Sequence, residues 1–372
     1  MKPIYLDYNA STPIDPAVAA TMRPLLEEAY GNPSSGHWAS VGARAAIENA
    51  RRQVAALVNC DADEIVFTSG GSEANNLALE GTFFARSGRP SHIVTSQIEH
   101  PAVLEPCRFL ERLGGAVTYV RVDSRGLVDP DDVRKAIRKD TFLISLMHAN
   151  NEVGTIQPIA EVAKIAREHG ITLHTDAAQS VGKMETRVDD LGVDLLSIAG
   201  HKVYAPKGIG ALYVRRGVAI EPLIHGAGHE GGRRAGTESA LLVAALGKAC
   251  EIAQSAIGAP ETQRLRDHFW RHLRAAFDDR VVLNGHPELR LPNTLNVSFV
   301  GRIGADILAR IPAVAASTGS ACHAGEVALS PVLAAMGVAP EVGMGAIRFS
   351  LGRWTTGDEI ETVVDHLRRA LA

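Results

Sequence analysis

Cysteine is scarce in this sequence. There are four among 372 residues, Cys60, Cys107, Cys250 and Cys322, and no two have Cys-x-x-Cys spacing. That argues against a disulfide framework and a cysteine-rich zinc site. An isolated cysteine is then either a small buried hydrophobe or a nucleophile. An excess of basic charge is also missing: 38 Lys and Arg against 42 Asp and Glu give a net charge of −4. The sequence therefore offers no electrostatic footprint for nucleic acid and no polybasic membrane patch. Long apolar runs are absent too. Stretches such as Ala240-Leu241-Leu242-Val243-Ala244-Ala245-Leu246 fall well short of the ~20 residues that span a bilayer. Met1-Lys2-Pro3-Ile4-Tyr5-Leu6-Asp7 contains no apolar leader, so a cytoplasmic location is expected.

What is present is a globular composition, 46% hydrophobic and 22% charged, over a length that predicts two domains. Short apolar strands alternate with helical patterns: strands at 65–68, 92–96, 117–122, 142–147, 171–175 and 193–198, helices at 16–29, 42–57, 74–86, 103–113, 130–138 and 159–169. This is the signature of an α/β fold with a mostly parallel sheet covered by helices. The pattern changes at Ser255-Ala256-Ile257-Gly258-Ala259-Pro260. Beyond it a smaller α+β arrangement is predicted, ending in a helix opened by the Thr356-Gly357-Asp358-Glu359 capping box. We expect a large domain over 15–254 and a small one built from 1–14 and 255–372.

Ligands of such sheets lie beyond the carboxyl ends of the strands. Four of these strands are followed by a polar cluster: Glu99-His100, His148-Ala149-Asn150-Asn151-Glu152, Asp176-Ala177-Ala178-Gln179 and His201-Lys202. Strand 65–68 runs into Ser69-Gly70-Gly71-Ser72-Glu73 and then a helix, where free backbone N–H groups favour an anion. Pyridoxal phosphate needs a lysine for its aldehyde, a carboxylate for its ring nitrogen and a cradle for its phosphate. Lys202 at a strand end, Asp176, and the Gly70-Gly71-Ser72 turn supply these three. Lys207 competes for the lysine role but lies in a Pro-Lys-Gly turn. His225-Gly226-Ala227-Gly228-His229-Glu230 is not a zinc-protease motif, since its glycines forbid a helix and no Glu follows the first His, so no metal is expected.

These segments together resemble the motif series of the cysteine desulfurases, pyridoxal-phosphate enzymes of the aspartate aminotransferase fold. So do Arg234-Ala235-Gly236-Thr237, Gly319-Ser320-Ala321-Cys322 and Ile347-Arg348-Phe349-Ser350-Leu351-Gly352-Arg353, in order along nearly the whole chain. The resemblance implies that Lys202 forms the Schiff base, Asp176 holds the pyridinium and Gln179 the ring hydroxyl. His100 would stack on the ring and move protons, with Asn151 near the ring oxygen. Gly71, Ser72 and His201 would hold the phosphate, and Thr237 would reach in from a partner subunit of a homodimer. Arg348 would bind the substrate carboxylate, Asn32 would also bind substrate, and Cys322 would accept the sulfur.

The implied reaction converts L-cysteine to L-alanine. Lys202 removes the Cα proton, and the Cys322 thiolate takes the substrate sulfur as a persulfide for a further acceptor protein, an iron–sulfur scaffold or another. Independently of the resemblance, Cys322 sits in a small-residue loop beside His323, which lowers a neighbouring thiol pKa when protonated. The helical surroundings of Cys60, Cys107 and Cys250 predict core packing. Two positions depart from the family pattern. Ala199 stands where many relatives have a serine that bonds the phosphate, and Cys322-His323 also resembles the selenocysteine lyases, which makes that activity the alternative. A non-enzymatic carrier on this fold would be expected to lose Lys202 or Cys322, and both are present.

Overall fold

A computed structural model describes residues 3–86, 91–258, 260–318 and 328–372, with the backbone of 322–323 and 326–327. A seven-stranded sheet forms its centre. In spatial order the strands are Ile65–Thr68, Gly210–Val214, Leu195–Ala199, Thr172–Asp176, Thr141–Ser145, His92–Ser96 and Ala116–Val120. Only Gly210–Val214 runs against its neighbours. The inner strands His92–Ser96, Thr141–Ser145 and Leu195–Ala199 are buried along their whole length because helices cover both faces. Ala116–Val120, at one edge, is mostly half-buried instead.

The other edge, Ile65–Thr68, is fully buried although no further strand among the described residues pairs with it. Side chains cover it. Glu230 accepts a 2.9 Å bond from the Phe67 N–H, and Arg51 donates a 2.6 Å bond to the Ile65 carbonyl. Arg51 and Glu230 also pair with each other through two bonds of 2.7 and 2.8 Å. An exposed sheet edge invites pairing with other chains, and this ion pair closes it. Glu230 adopts a left-handed backbone, φ 51°, which its three hydrogen bonds offset.

The buried apolar side chains fall into separate clusters. Two flank the large sheet, one containing Val54, Ile144 and Leu246 and one containing Leu77, Ile93 and Leu212. A third joins Ile4 and Leu6 to Phe269, Leu273, Val297, Phe349 and Leu367. It sits on the antiparallel strands Val281–Leu283, Thr294–Phe299 and Ala346–Ser350, packed by helices Glu261–Phe277 and Gly357–Leu371. The capping box at Thr356 and Glu359 forms as the sequence predicts.

Two local features shape the site. The helix expected from Ala74 begins at Gly71, so Gly71 and Ser72 lie in its first turn. Glycine's low helix propensity hid this start, and packing on the sheet overrides it. The amino-terminal segment pairs through Ile4–Tyr5 on Val314–Ala315, bridges from Asp7 to Ser350, and turns at Asp7–Ala10.

Removing one partner of a buried ion pair strands the other, at a cost of about 3 kcal/mol. Glu230→Ala is therefore expected to lower the denaturation midpoint measurably, and a wild-type midpoint would show that the edge is held by packing alone.

Candidate active site

The carboxyl ends of the strands share one side of the sheet. Gly210 pairs with both Thr68 and Ala199, and Asp176 pairs with Ser197, so these positions stand in register. The close approach is possible because position 210 has no side chain: a Cβ there would lie 2.7 Å from the Gly70 backbone. Beyond this edge lies a cavity of about 660 Å³, a size suited to a cofactor-sized ligand. Its walls include Gly71, Ser72, His100, Asn151, Asp176, Gln179, His201, Lys202 and Arg348. Residues far apart in sequence thus meet in one place.

Lys202 follows strand Leu195–Ala199 in a single tight turn, Gly200–Lys202. Its Nζ donates to the carbonyls of Asn9 and Ala10, the latter at 2.9 Å. Burial pushes its pKa down to about 8, with Arg348 acting in the same direction and Asp176 and Asp7 opposing. An amine so shifted is partly neutral near physiological pH, as a nucleophile requires. Lys207 also lines the cavity, but it is exposed.

Asp176 closes strand Thr172–Asp176. Its carboxylate accepts from Asn75 Nδ2 at 2.7 Å and from the Ala178 N–H at 2.9 Å. Gln179, one turn later, donates from Nε2 to the Asn9 carbonyl at 3.0 Å. His100 caps helix Pro101–Arg112, its Nδ1 accepting from the Ala102 N–H at 3.1 Å, which leaves Nε2 as the protonated nitrogen of the neutral ring. Its pKa is lowered by burial and by Lys202, against the pull of Asp176. His201 is held neutral more strongly: burial first, then Lys202, Lys207 and Lys183, push it down to about 4.

Arg348 reaches the cavity from strand Ala346–Ser350. Its Nη2 meets Asp7 at 2.7 Å and its Nη1 donates to the Asn151 carbonyl at 3.0 Å. Its buried Nε has no hydrogen-bond partner among the described residues. Asp7 also accepts from the Ser317 hydroxyl at 2.9 Å. Ser317 lies shortly before the loop of Cys322, whose backbone pairs as Cys322–His323 with Glu326–Val327. The side chains of Cys322 and His323 and the rest of the Gly319–Cys322 motif lie outside the described residues.

Some expected residues stand elsewhere. Asn32 and Thr237 are exposed and do not line the cavity of this chain. The Asn32 side chain accepts from the Ser34 N–H at 2.9 Å, closing a local turn. Glu99 and His148, read as part of the polar strand ends, are buried below the site. Glu99 takes bonds from Ser96 Oγ at 2.6 Å and Met147 N–H at 3.0 Å, and burial raises it to about 8. His148 contacts Ser180 Oγ at 2.9 Å, and burial lowers it to about 4. Burial likewise pushes the Cys60, Cys107 and Cys250 thiols up to about 12, as inert core groups.

Residues the sequence reading passed over complete the site. Asp7 and Asn9 lie in the amino-terminal segment, outside the strand-end clusters. Asn75 interrupts the apolar face of a helix, an unfavourable place for Asn without a partner.

The site fits pyridoxal phosphate by its donors. The first turn of helix Gly71–Phe84 opens on the cavity, and a Cβ on Gly71 would crowd Ala199 at 3.1 Å, narrowing the cradle. His201 Nδ1 and Arg348 Nε are buried polar atoms left without partners among the described residues. Ala199 lines the cavity and brings no donor.

The comparisons with known proteins agree with this chemistry. The model of the aminotransferase class-V family matches residues 4–363. The cysteine desulfurase IscS of Dictyoglomus turgidum is 50% identical, with 99% of this chain and 94% of the relative covered. A solved NifS-like protein superposes with a TM-score of 0.93 at 36% identity, covering 99% of both chains. A structure described as SspA in complex with cysteine gives 0.85 at 38% identity, covering 95% of this chain and all of that one. The chain belongs to the class-V aminotransferases, an enzyme family that works with pyridoxal phosphate. Within that family it belongs to the cysteine desulfurases.

The opposed charges around Lys202 give a signed test. The rate at which cofactor-free protein takes up pyridoxal phosphate should rise with pH through an inflection near 8. Asp7→Asn should move the inflection down and Arg348→Met should move it up. A common direction for both variants would refute this electrostatic account.

Proposed function

We propose that the chain converts L-cysteine to L-alanine at this cavity and passes the sulfur to Cys322. The observation that carries the reading is Lys202, partly neutral at the end of a buried strand, in one cavity with Asp176, Gln179, His201 and Arg348. When bound, the cofactor supplies an electron sink for the carbanion left at the substrate Cα. Lys202 is the residue placed to bind it, Asp176 to hold its ring nitrogen charged, and His201 with the Gly71 and Ser72 N–H groups to hold its phosphate. Arg348 binds the substrate carboxylate, using the Nε donor that has no partner in the described structure. Lys202 takes the Cα proton, and His100, neutral and with Nε2 protonated, exchanges protons beside it. The Cys322 thiolate attacks the substrate sulfur and the Cβ–S bond breaks. Its electron pair remains on the three-carbon product, which is protonated to alanine, and Cys322 is left as a persulfide.

The wider setting follows from the same reading. Asn32 and Thr237 act in the cavity of a second copy, which their exposed positions outside their own cavity support. The exposed side chains of Leu26, Tyr30, Trp38 and Val41 support burial of that segment in a homodimer. We infer a large domain over 15–254 and a small one over 1–14 with 255–372, supported by the separate apolar clusters. Relatives named IscS support a sulfur-acceptor protein, an iron–sulfur scaffold being the first to try. Among the described residues no single helix is long and apolar enough to cross a membrane, and a cytoplasmic location suits the reading.

The first test is the cofactor-loaded protein with L-cysteine, followed by alanine and bound persulfide. Cys322→Ser is expected to abolish persulfide formation, while serine variants of Cys60, Cys107 and Cys250 keep it. Persulfide retained in Cys322→Ser would overturn the acceptor assignment. Arg348→Ala should raise KM for cysteine roughly 10- to 100-fold, the weight of a charge-assisted hydrogen bond. A higher rate on selenocysteine, with little on cysteine, would shift the substrate to the selenium analogue that Cys322-His323 suggests.

A further inference from the structure

Lys183 continues the Asp176–Gln179 segment and, beyond its push on His201, has no part in the chemistry described so far. It lies four residues after Gln179, and its Nζ donates to Gln179 Oε1 at 2.9 Å and to Asn9 Oδ1 at 3.2 Å. Burial pushes its pKa well below the usual lysine range, and the nearby cations Lys202 and Arg348 add to this. A lysine in such a place is costly unless its contacts matter.

An amide can be turned end for end with little change of shape, so its orientation is set by its partners. Here each partner is fixed in turn by the backbone. Asn293 Nδ2 donates to the Leu351 carbonyl at 3.2 Å and to Asn9 Oδ1 at 3.0 Å. Asn9 Nδ2 donates to the Asn151 carbonyl at 3.3 Å and to Thr294 Oγ1 at 2.8 Å. Asn9 Oδ1 is therefore an acceptor, and Lys183 is one of its donors. Lys183, charged or neutral, has enough N–H groups for both oxygens. With Oε1 held by Lys183, Gln179 turns Nε2 to the Asn9 carbonyl, the same oxygen that accepts from Lys202. A flipped amide would set oxygen against oxygen at the Asn9 carbonyl and, against the ammonium form of Lys183, donor against donor. One Nε2 hydrogen remains, on a side chain that lines the cavity.

We infer that Lys183 is a positioning residue: it locks the Gln179 amide with its N–H side toward the cavity, so that the site selects an anionic oxygen, the deprotonated ring hydroxyl of the cofactor. This rests on the proposed function and deepens it. A bare cavity with Gln179 free to turn would accept a protonated hydroxyl as readily.

The test is a pH titration of the absorbance of cofactor-loaded wild type, Lys183→Met, Gln179→Ala and the double variant, with cofactor affinity measured by equilibrium dialysis. Loss of the donor makes the ring oxygen more basic. Lys183→Met should therefore move the spectral pKa up by about one unit and weaken cofactor binding on the order of fivefold. Gln179→Ala should do the same, and the double variant should add nothing, because Lys183 acts through Gln179. Lys183→Arg, which keeps the donors, should titrate as wild type. A merely structural lysine would lower the melting temperature and leave the spectrum alone. An unchanged titration in Lys183→Met overturns the inference, and so does a double variant whose shift is the sum of the two, which would mean that Lys183 acts by charge. Should Lys183→Met not fold, neutron diffraction of the wild type reads the amide directly: Oε1 toward Lys183 supports the inference and Nε2 toward Lys183 overturns it. Wild type that binds no pyridoxal phosphate sinks the proposed function as well. Wild type that binds it, beside an unaltered Lys183→Met, sinks the inference alone.

Discussion

An amine brought out of water at the edge of a sheet must shed part of its charge or find acceptors, and Lys202 does both. Its pKa falls through burial, and the Asn9 and Ala10 carbonyls receive its N–H groups. Those carbonyls are available only because the chain turns at Asp7–Ala10 after Ile4–Tyr5 pairs with Val314–Ala315. The turn is held from the apolar cluster on the antiparallel strands: Asn9 N–H bonds Ser350 Oγ at 2.9 Å, and Leu6 and Phe349 belong to that cluster. The lysine of one sheet is thus fixed by a segment anchored in another. Everything near the cavity leans on this junction.

The same junction orders the charges. Arg348 is held against Asp7, and Asp7 is tied to Ser317 near the base of the Cys322 loop. In the proposed reaction, carboxylate binding by Arg348 and sulfur transfer to Cys322 would both depend on this cluster. On the opposite wall, Glu73 links the cradle to the glycine-rich loop: Arg234 Nε bonds it at 2.8 Å and the Ser69 N–H at 2.7 Å. Against the upward push of burial, these contacts keep the Glu73 carboxyl low. That loop also closes the sheet edge through Glu230. One segment protects the sheet and positions the cradle.

Much of this was legible in the sequence. Strands 65–68 and 92–96 fall where their apolar patterns place them. Buried parallel strands have a strong local signal, and the polar groups that follow them mark the ligand side. Asp176, Gln179, His201 and Lys202 were found by that rule. It failed at Glu99 and His148, because a polar side chain at a strand end can turn inward when Ser96 or Ser180 offers a bond. It was silent on Asn9, Asn75 and Lys183, whose partners are distant in sequence or hidden in an amide's orientation.

By itself the sequence determined the alternation of strands and helices, the side of the sheet on which chemistry lies, and the residue types that a pyridoxal-phosphate site requires. These follow from local periodicity and from chemistry that few side chains can do. Tertiary structure decided which of those groups face the cavity, which lysine is desolvated, and which direction each neighbour pushes its pKa. It also decided that Asp7 and Asn9, near the amino terminus, sit beside Lys202 and Arg348. Desolvation and pairing depend on three-dimensional proximity, and no spacing along the chain encodes it.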